Sequence, residues 1–198
     1  MPPVQFQDEE IDDLIYLARV GEKDELSTLI SEIIARQATK RIPAPADVLA
    51  QAVDETSKNT TLHMASANGH VEIVEYILSQ FPTDGQIDKD QKQAFLDATN
   101  EFGNTALHWA SLNGHLPIVK LLVDNGASVA LANDKNYIPL DLASFGEKID
   151  VVDYFLKEVR EMEAENAKEG LGEAVADVKV EDGDENEGSS KGKEKESS

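Results

Sequence analysis

The feature of the sequence that most restricts its fold is an internal repeat. Residues 61–78 read TLHMASANGHVEIVEYIL and residues 106–122 read ALHWASLNGHLPIVKLL, so the two segments match almost letter for letter. Residues 138–156 and 13–30 keep the same apolar spacing with fewer identical letters. One such unit is too short to bury its own apolar face, so the copies must stack side by side into a solenoid.

The spacing of the copies identifies the kind of repeat. Aligned on their first leucine, the copies begin at Leu14, Leu62, Leu107 and Leu140. The last step is 33 residues, which is the period of ankyrin repeats. The two earlier steps are longer, and their extra residues fall in 31–57 and 80–100, between the second helix of one repeat and the turn of the next.

Within a repeat, the letters that recur between copies have mechanical roles. Thr105 precedes the short inner helix and can cap it through its hydroxyl, while Gly69 and Gly114 are suited to end that helix in their repeats. A histidine in the T-P-L-H position links successive turns. All four histidines fall at fixed positions of the repeat and are interpreted as structural: His63, His70, His108 and His115.

These patterns predict an all-α ankyrin-repeat solenoid of four repeats over 8–157. The two inner repeats are regular, and the two outer ones are capping repeats, which depart from the pattern because each has a side that faces water. Residues 158–171 are compatible with a helical extension. Residues 172–198 consist largely of Gly, Ser, Glu, Asp and Lys, so we expect a disordered acidic tail.

The charge and the missing motifs restrict the function. The net charge is −21, and both parts are acidic: 1–157 holds 25 acidic and 12 basic residues, and 158–198 holds 14 and 6. Such a field repels nucleic acid and anionic membranes and attracts basic proteins. The chain has no cysteine, no phosphate-binding glycine motif and no metal-ligand motif, so we expect no catalytic residue, no metal and no cofactor.

In an ankyrin array the turns and the inner helices line a concave groove, and the outer helices form its back. Large or polar residues at the open positions of the turns and inner helices predict the partner-binding surface. Acidic groups at 8–10, 12–13, 55, 101 and 134 surround it, which suits a basic, amphipathic helix. The predicted partner-binding residues are Tyr16, Met64, Asn68, Glu101, Phe102, Asn104, Trp109, Leu112, Asn113, Asp134, Tyr137 and Phe145.

The block GNTALHWASLNGHLPIVKLL at 103–122, together with 61–78, resembles the fungal ankyrin-repeat chaperones dedicated to the small-subunit ribosomal protein S3. The resemblance covers roughly 10–157. It implies a monomeric, non-enzymatic protein that binds newly made S3 in its groove, keeps it soluble and escorts it to ribosome assembly. It also implies that the protein acts in the cytoplasm and the nucleus.

Two other functions stay open at the level of the sequence. A generic ankyrin adaptor in signalling would bind a neutral partner through shape, and its binding would depend weakly on salt. An acidic histone-type chaperone would prefer histones to ribosomal proteins.

Overall fold

The computed structural model of the protein describes residues 3–37, 42–81, 89–158 and 160–161. The chain divides into two units, Met1–Lys157 and Glu158–Ser198. The described residues of the first unit form helices joined by turns, with one isolated antiparallel bridge between Val53 and Thr60. In the second unit, residues 158, 160 and 161 are helical. The predicted tail, 172–198, and most of the predicted extension, 158–171, lie outside the described residues.

Four helix pairs form the repeats of the first unit. The inner helices are α1 (Glu10–Val20), α4 (Thr61–Asn68), α7 (Ala106–Asn113) and α9 (Pro139–Phe145). The outer helices are α2 (Lys23–Arg36), α5 (Val71–Ser79), α8 (Leu116–Asp124) and α10 (149–157). Each inner helix packs on the next, so that α1 contacts α4, α4 contacts α7, and α7 contacts α9. This stacking confirms the predicted all-α solenoid of four repeats.

Repeated residues set the ends of the inner helices. The Thr60 and Thr105 hydroxyls accept hydrogen bonds from the amides of His63 and His108, which caps α4 and α7. Both helices end at a glycine with φ of 80°, a left-handed backbone that side chains disfavour. At Gly69 an added Cβ would also lie 2.8 Å from the ring of a neighbouring histidine. These positions therefore require the residues that the repeat provides.

The core runs through the array between inner and outer helices. Small residues on the inner helices let the helix pairs approach closely, and branched residues on the outer helices fill the space between repeats. The small residues at equivalent positions, all fully buried, are Ala65, Ala110 and Ala143. The buried branched residues of α5 and α8 include Ile73, Val74, Ile77, Ile118, Val119 and Leu122.

The two long inter-repeat segments each contain a short helix that the sequence analysis did not predict: α3 (Pro45–Gln51) and α6 (Lys89–Leu96). Val48 and Leu49 of α3 are fully buried. In α6, the ring of Phe95 stacks on Phe81, with centroids 4.3 Å apart. The Lys92 ammonium donates to the Asn125 side chain at 2.9 Å, and burial lowers its pKa. Both inserted helices therefore extend the core.

The fourth repeat replaces the usual histidine and glycine with acidic residues. The Asp141 carboxylate accepts a hydrogen bond from the amide of Ile138 at 2.9 Å and so satisfies the start of α9. Glu147 follows α9 with φ of 55°, the left-handed conformation that Gly69 and Gly114 adopt in the other repeats. A residue with a Cβ adopts this conformation at a cost.

We expect Glu147→Gly to stabilise the protein by about 1 kcal/mol, because glycine removes the penalty of a left-handed Cβ. The melting temperature should rise by about 3 °C for a domain of this size. Thermal unfolding followed by circular dichroism measures the change. Glu147→Ala is the matched control, since it removes the same carboxylate and keeps the Cβ. An equal rise of the melting temperature in both variants would show that the loss of the Glu147 carboxylate causes the effect.

Candidate partner-binding groove

Two histidines connect the successive turns that form one wall of the groove. His63 Nε2 lies 2.9 Å from the carbonyl oxygen of Asn104, and His108 Nε2 lies 3.0 Å from that of Tyr137. In each ring Nδ1 accepts a hydrogen bond from the amide of the threonine three residues earlier, so the ring proton is on Nε2. Burial lowers the pKa of His63 to about 4 and also lowers the pKa of His108. Both rings are therefore neutral structural links, as predicted.

Asparagine side chains form a second set of links between turns, which the sequence analysis missed. Asn100 Nδ2 donates to Asn59 Oδ1 at 3.1 Å, and Asn133 Nδ2 donates to Asn104 Oδ1 at 2.8 Å. Asn133 Oδ1 also accepts hydrogen bonds from two backbone amides of its own turn, each at 3.0 Å. The sequence does contain a signal for these links, since Asn100 and Asn133 both lie seven residues before the first leucine of their repeats.

The C-terminal half of the groove holds a recess of about 340 Å³, here called the groove pocket. It lies where the turns of the third and fourth repeats meet α7 and α9. Five of its lining residues were predicted, and Asn133, Lys135 and Leu142 complete it. The lining residues are Phe102, Asn104, Leu112, Asn133, Asp134, Lys135, Tyr137 and Leu142. A pocket with apolar walls and a few polar groups can take one apolar side chain of a partner.

Three aromatic side chains stand exposed in the C-terminal half of the groove, and two of them, Phe102 and Tyr137, line the groove pocket. Phe102 is 56% exposed, Tyr137 is 37% exposed and Phe145 is 62% exposed. The rings of Tyr137 and Phe145 meet edge to face with centroids 4.9 Å apart. Large exposed rings held by a rigid scaffold are the usual anchors of protein interfaces. These three residues therefore meet the geometric requirement for contact with a partner.

Trp109 is half-buried on α7, and it does not line the groove pocket. Helical spacing places it on the same face of α7 as Leu112 and Asn113. The Asn113 side chain donates to the carbonyl oxygen of Ala67 at 2.8 Å, so it also links α7 to α4. The contribution of Trp109 and Asn113 to partner binding stays a prediction.

The N-terminal half of the groove has a different chemistry. Tyr16 and Met64 line a recess of about 310 Å³ together with Asp12, Arg19 and Asp54. Hydrogen bonds from the side chain and the amide of Ser57 hold the pKa of Asp54 below its usual range, which keeps that carboxylate charged. The predicted residues Asn68 and Glu101 are exposed outside both recesses. The recess in the N-terminal half thus holds more charged residues, and the C-terminal half holds more exposed aromatic rings.

The predicted acidic rim needs one correction. Its carboxylates at 8, 9, 12, 13, 55, 101 and 134 are exposed, but Glu10 is buried. Glu10 forms an ion pair with Arg36 of α2 and accepts the amide of Gln7 at 2.8 Å. It therefore stabilises the first repeat and is not available to a partner.

The described residues contain no group of three or more His, Asp or Glu side chains that could hold a metal ion. No helix in the described part of the chain is long and apolar enough to cross a membrane. The arrangement offers a shaped surface with aromatic and acidic groups, which is suited to binding a protein.

Helix pairs that stack at the ankyrin spacing, with histidine links between their turns and a groove along their inner helices, define an ankyrin-repeat protein. Comparison with known families agrees: residues 90–166 match the family described as ankyrin repeats (3 copies), and residues 57–87 match the ankyrin repeat. The chain therefore belongs to the ankyrin-repeat family.

A relative within that family is the ankyrin repeat-containing protein Yar1 of Saccharomyces cerevisiae. The two are 37% identical over 150 residues, which is 75% of this chain and 69% of Yar1. The chain is also similar to a solved structure, the yeast ribosomal protein Rps3 in complex with its chaperone Yar1. That match has a TM-score of 0.66 and 36% identity, and it covers 78% of this chain and 95% of the matched one.

Proposed function

We propose that the protein is a dedicated chaperone of the small-subunit ribosomal protein S3 and not an enzyme. The observation that carries the proposal is the similarity to Yar1 along three quarters of the chain, since Yar1 is the chaperone of Rps3 in the matched structure. The chemistry of the groove supports it independently, because an aromatic pocket beside exposed carboxylates suits a basic client.

The proposed mechanism is equilibrium capture. An apolar side chain of S3 enters the groove pocket against Phe102 and Tyr137, and basic residues of S3 face the acidic rim. While bound, the client exposes less apolar and basic surface and so aggregates less. Ribosomal RNA carries a higher density of negative charge than the groove, so it can displace the chaperone at the assembly site.

The proposal includes the route of the client. S3 is made in the cytoplasm and joins the small subunit during assembly, so the chaperone would accompany it from the cytoplasm to the nucleus. Imaging of the tagged full chain tests this part. Signal confined to one compartment throughout the cell cycle would contradict the escort and leave the binding proposal standing.

Binding and protection of purified S3 test the central proposal. We expect the full chain to bind S3 in titration calorimetry and to suppress the turbidity of S3 at low salt. A histone mixture is the comparison client. Equal or tighter binding of histones would favour a histone-type chaperone, and failure to bind either protein would favour a generic adaptor.

We expect the rate of association with S3 to fall about tenfold or more when salt rises from about 50 to 500 mM, because salt screens the attraction between exposed charges. The reason is the charge of the first unit, which holds 25 acidic and 12 basic residues over 1–157. Stopped-flow mixing at several salt concentrations measures the rate. A rate independent of salt would contradict electrostatic capture and favour an adaptor that recognises shape.

A further inference from the structure

A third recess lies at the N-terminal end of the repeat array, and we call it the end recess. Its volume is about 530 Å³, and all its lining residues belong to α1 and α2. The residues that α2 buries in the core are Leu26, Ile30 and Ile33, and none of these lines the recess. Leu17 and Leu29 line the recess and also pack against the core, so the end recess lies where the first helix pair leaves part of its apolar surface open.

The floor of the end recess is apolar. Leu17 and Leu29 are half-buried there, and Tyr16 is 56% exposed. Leu17 occupies a position that is fully buried and small in the other repeats, namely Ala65, Ala110 and Ala143. A terminal repeat that only faced water would carry a polar residue at this position. A larger, partly exposed leucine indicates a surface suited to contact with a partner.

The charged residues around this floor are all acidic. Asp13, Asp24, Glu25 and Glu32 line the recess, all four are exposed, and no lysine or arginine is among the lining residues. This field repels a second copy of the chain, whose net charge is −21. It also repels 158–198, which hold 14 acidic and 6 basic residues. A partner segment with a basic face and an apolar face is attracted instead.

We infer that the end recess binds a basic, amphipathic helix of the client, so that the client is held both in the groove and at the end of the array. The inference rests on the proposed chaperone function. A helix packed on α1 and α2 continues the stacking by which α1 packs on α4. Tyr16 lines both the end recess and the N-terminal half of the groove, so the two contact surfaces are continuous.

Charge reversal in the full chain tests the inference. The recess variant carries Glu25→Lys and Glu32→Lys, both exposed. The control variant carries Glu75→Lys and Asp124→Lys, which are exposed on outer helices α5 and α8. Each variant has the same net charge, −17 in place of −21. We expect the recess variant to associate with purified S3 about tenfold more slowly at low salt, and the control variant to stay close to the unchanged protein. Equal rates in the two variants would overturn the inference.

A second variant checks the shape of the recess separately from its charge pattern. Thr28 is exposed among the lining residues, and its hydroxyl donates only to a carbonyl of its own helix, Asp24 O, at 2.8 Å. Thr28→Gln places a larger, uncharged side chain in the recess and should weaken S3 binding, while Ser79→Gln on α5 should not. Melting curves confirm that each variant is folded. If the unchanged protein fails to bind S3, the chaperone proposal fails. If it binds S3 and both recess variants bind equally well, only the end recess is refuted.

Discussion

The protein should lose about 3 kcal/mol of stability through His63 as pH falls from 7 to 4. The ring is buried, with 1% of its surface exposed, and burial lowers its pKa from 6.5 to about 4. Between these two values the unfolded chain binds the proton and the folded protein does not. The stability is therefore fully present above pH 6.5 and is lost progressively as pH falls toward 4.

The structure gives the loss a local cause. His63 Nδ1 accepts the amide N–H of Thr60, so a proton on Nδ1 would face another donor. Urea unfolding at several pH values measures the effect, with His63→Gln as the comparison. That variant should be less stable at pH 7, because the link to Asn104 is lost, but its stability should depend less on pH. Parallel curves for the two proteins would show that another group causes the acid sensitivity.

The regular part of the fold could be predicted because its residues perform the same task in each copy. Thr105, His108 and Gly114 recur at the spacing of Thr60, His63 and Gly69, so one physical interpretation covered both repeats. The inserted helices α3 and α6 lack such a counterpart. The core contact of α6 joins Phe95 to Phe81, and no residue pattern repeated elsewhere in the chain predicts that contact.

The groove could be predicted in part for the same reason. Open positions of the repeat placed Phe102, Leu112 and Tyr137 at one pocket, because their position in the repeat determines their exposure. This reasoning gave the wrong exposure for Glu10, which is buried. Its burial depends on Arg36, which lies 26 residues further along the chain. The sequence analysis missed the end recess because its lining residues belong to the first repeat, which departs from the pattern of the inner repeats.

We expect Trp109→Ala to weaken binding of S3 by about 2 kcal/mol or more, roughly thirtyfold, because central aromatic residues contribute most of the energy of an interface. Trp109 shares a face of α7 with Leu112, which lines the groove pocket, and it leaves part of its surface exposed. Titration calorimetry with S3 measures the change in affinity. Glu75→Ala, on the outer helix α5, is the control for the back of the array and should bind normally.

Stability has to be measured beside affinity, since a half-buried tryptophan can also support the core. Truncation of a buried aromatic leaves a cavity and lowers the melting temperature. Phe102→Ala separates the two effects, because the Phe102 ring is 56% exposed and its loss should leave the melting temperature unchanged. We expect this variant to bind S3 about tenfold more weakly. If Trp109→Ala lowers the melting temperature and leaves the affinity intact, the ring is structural. Phe102, Tyr137 and Phe145 would then be the anchors that remain, and the partner would contact the C-terminal half of the groove without Trp109.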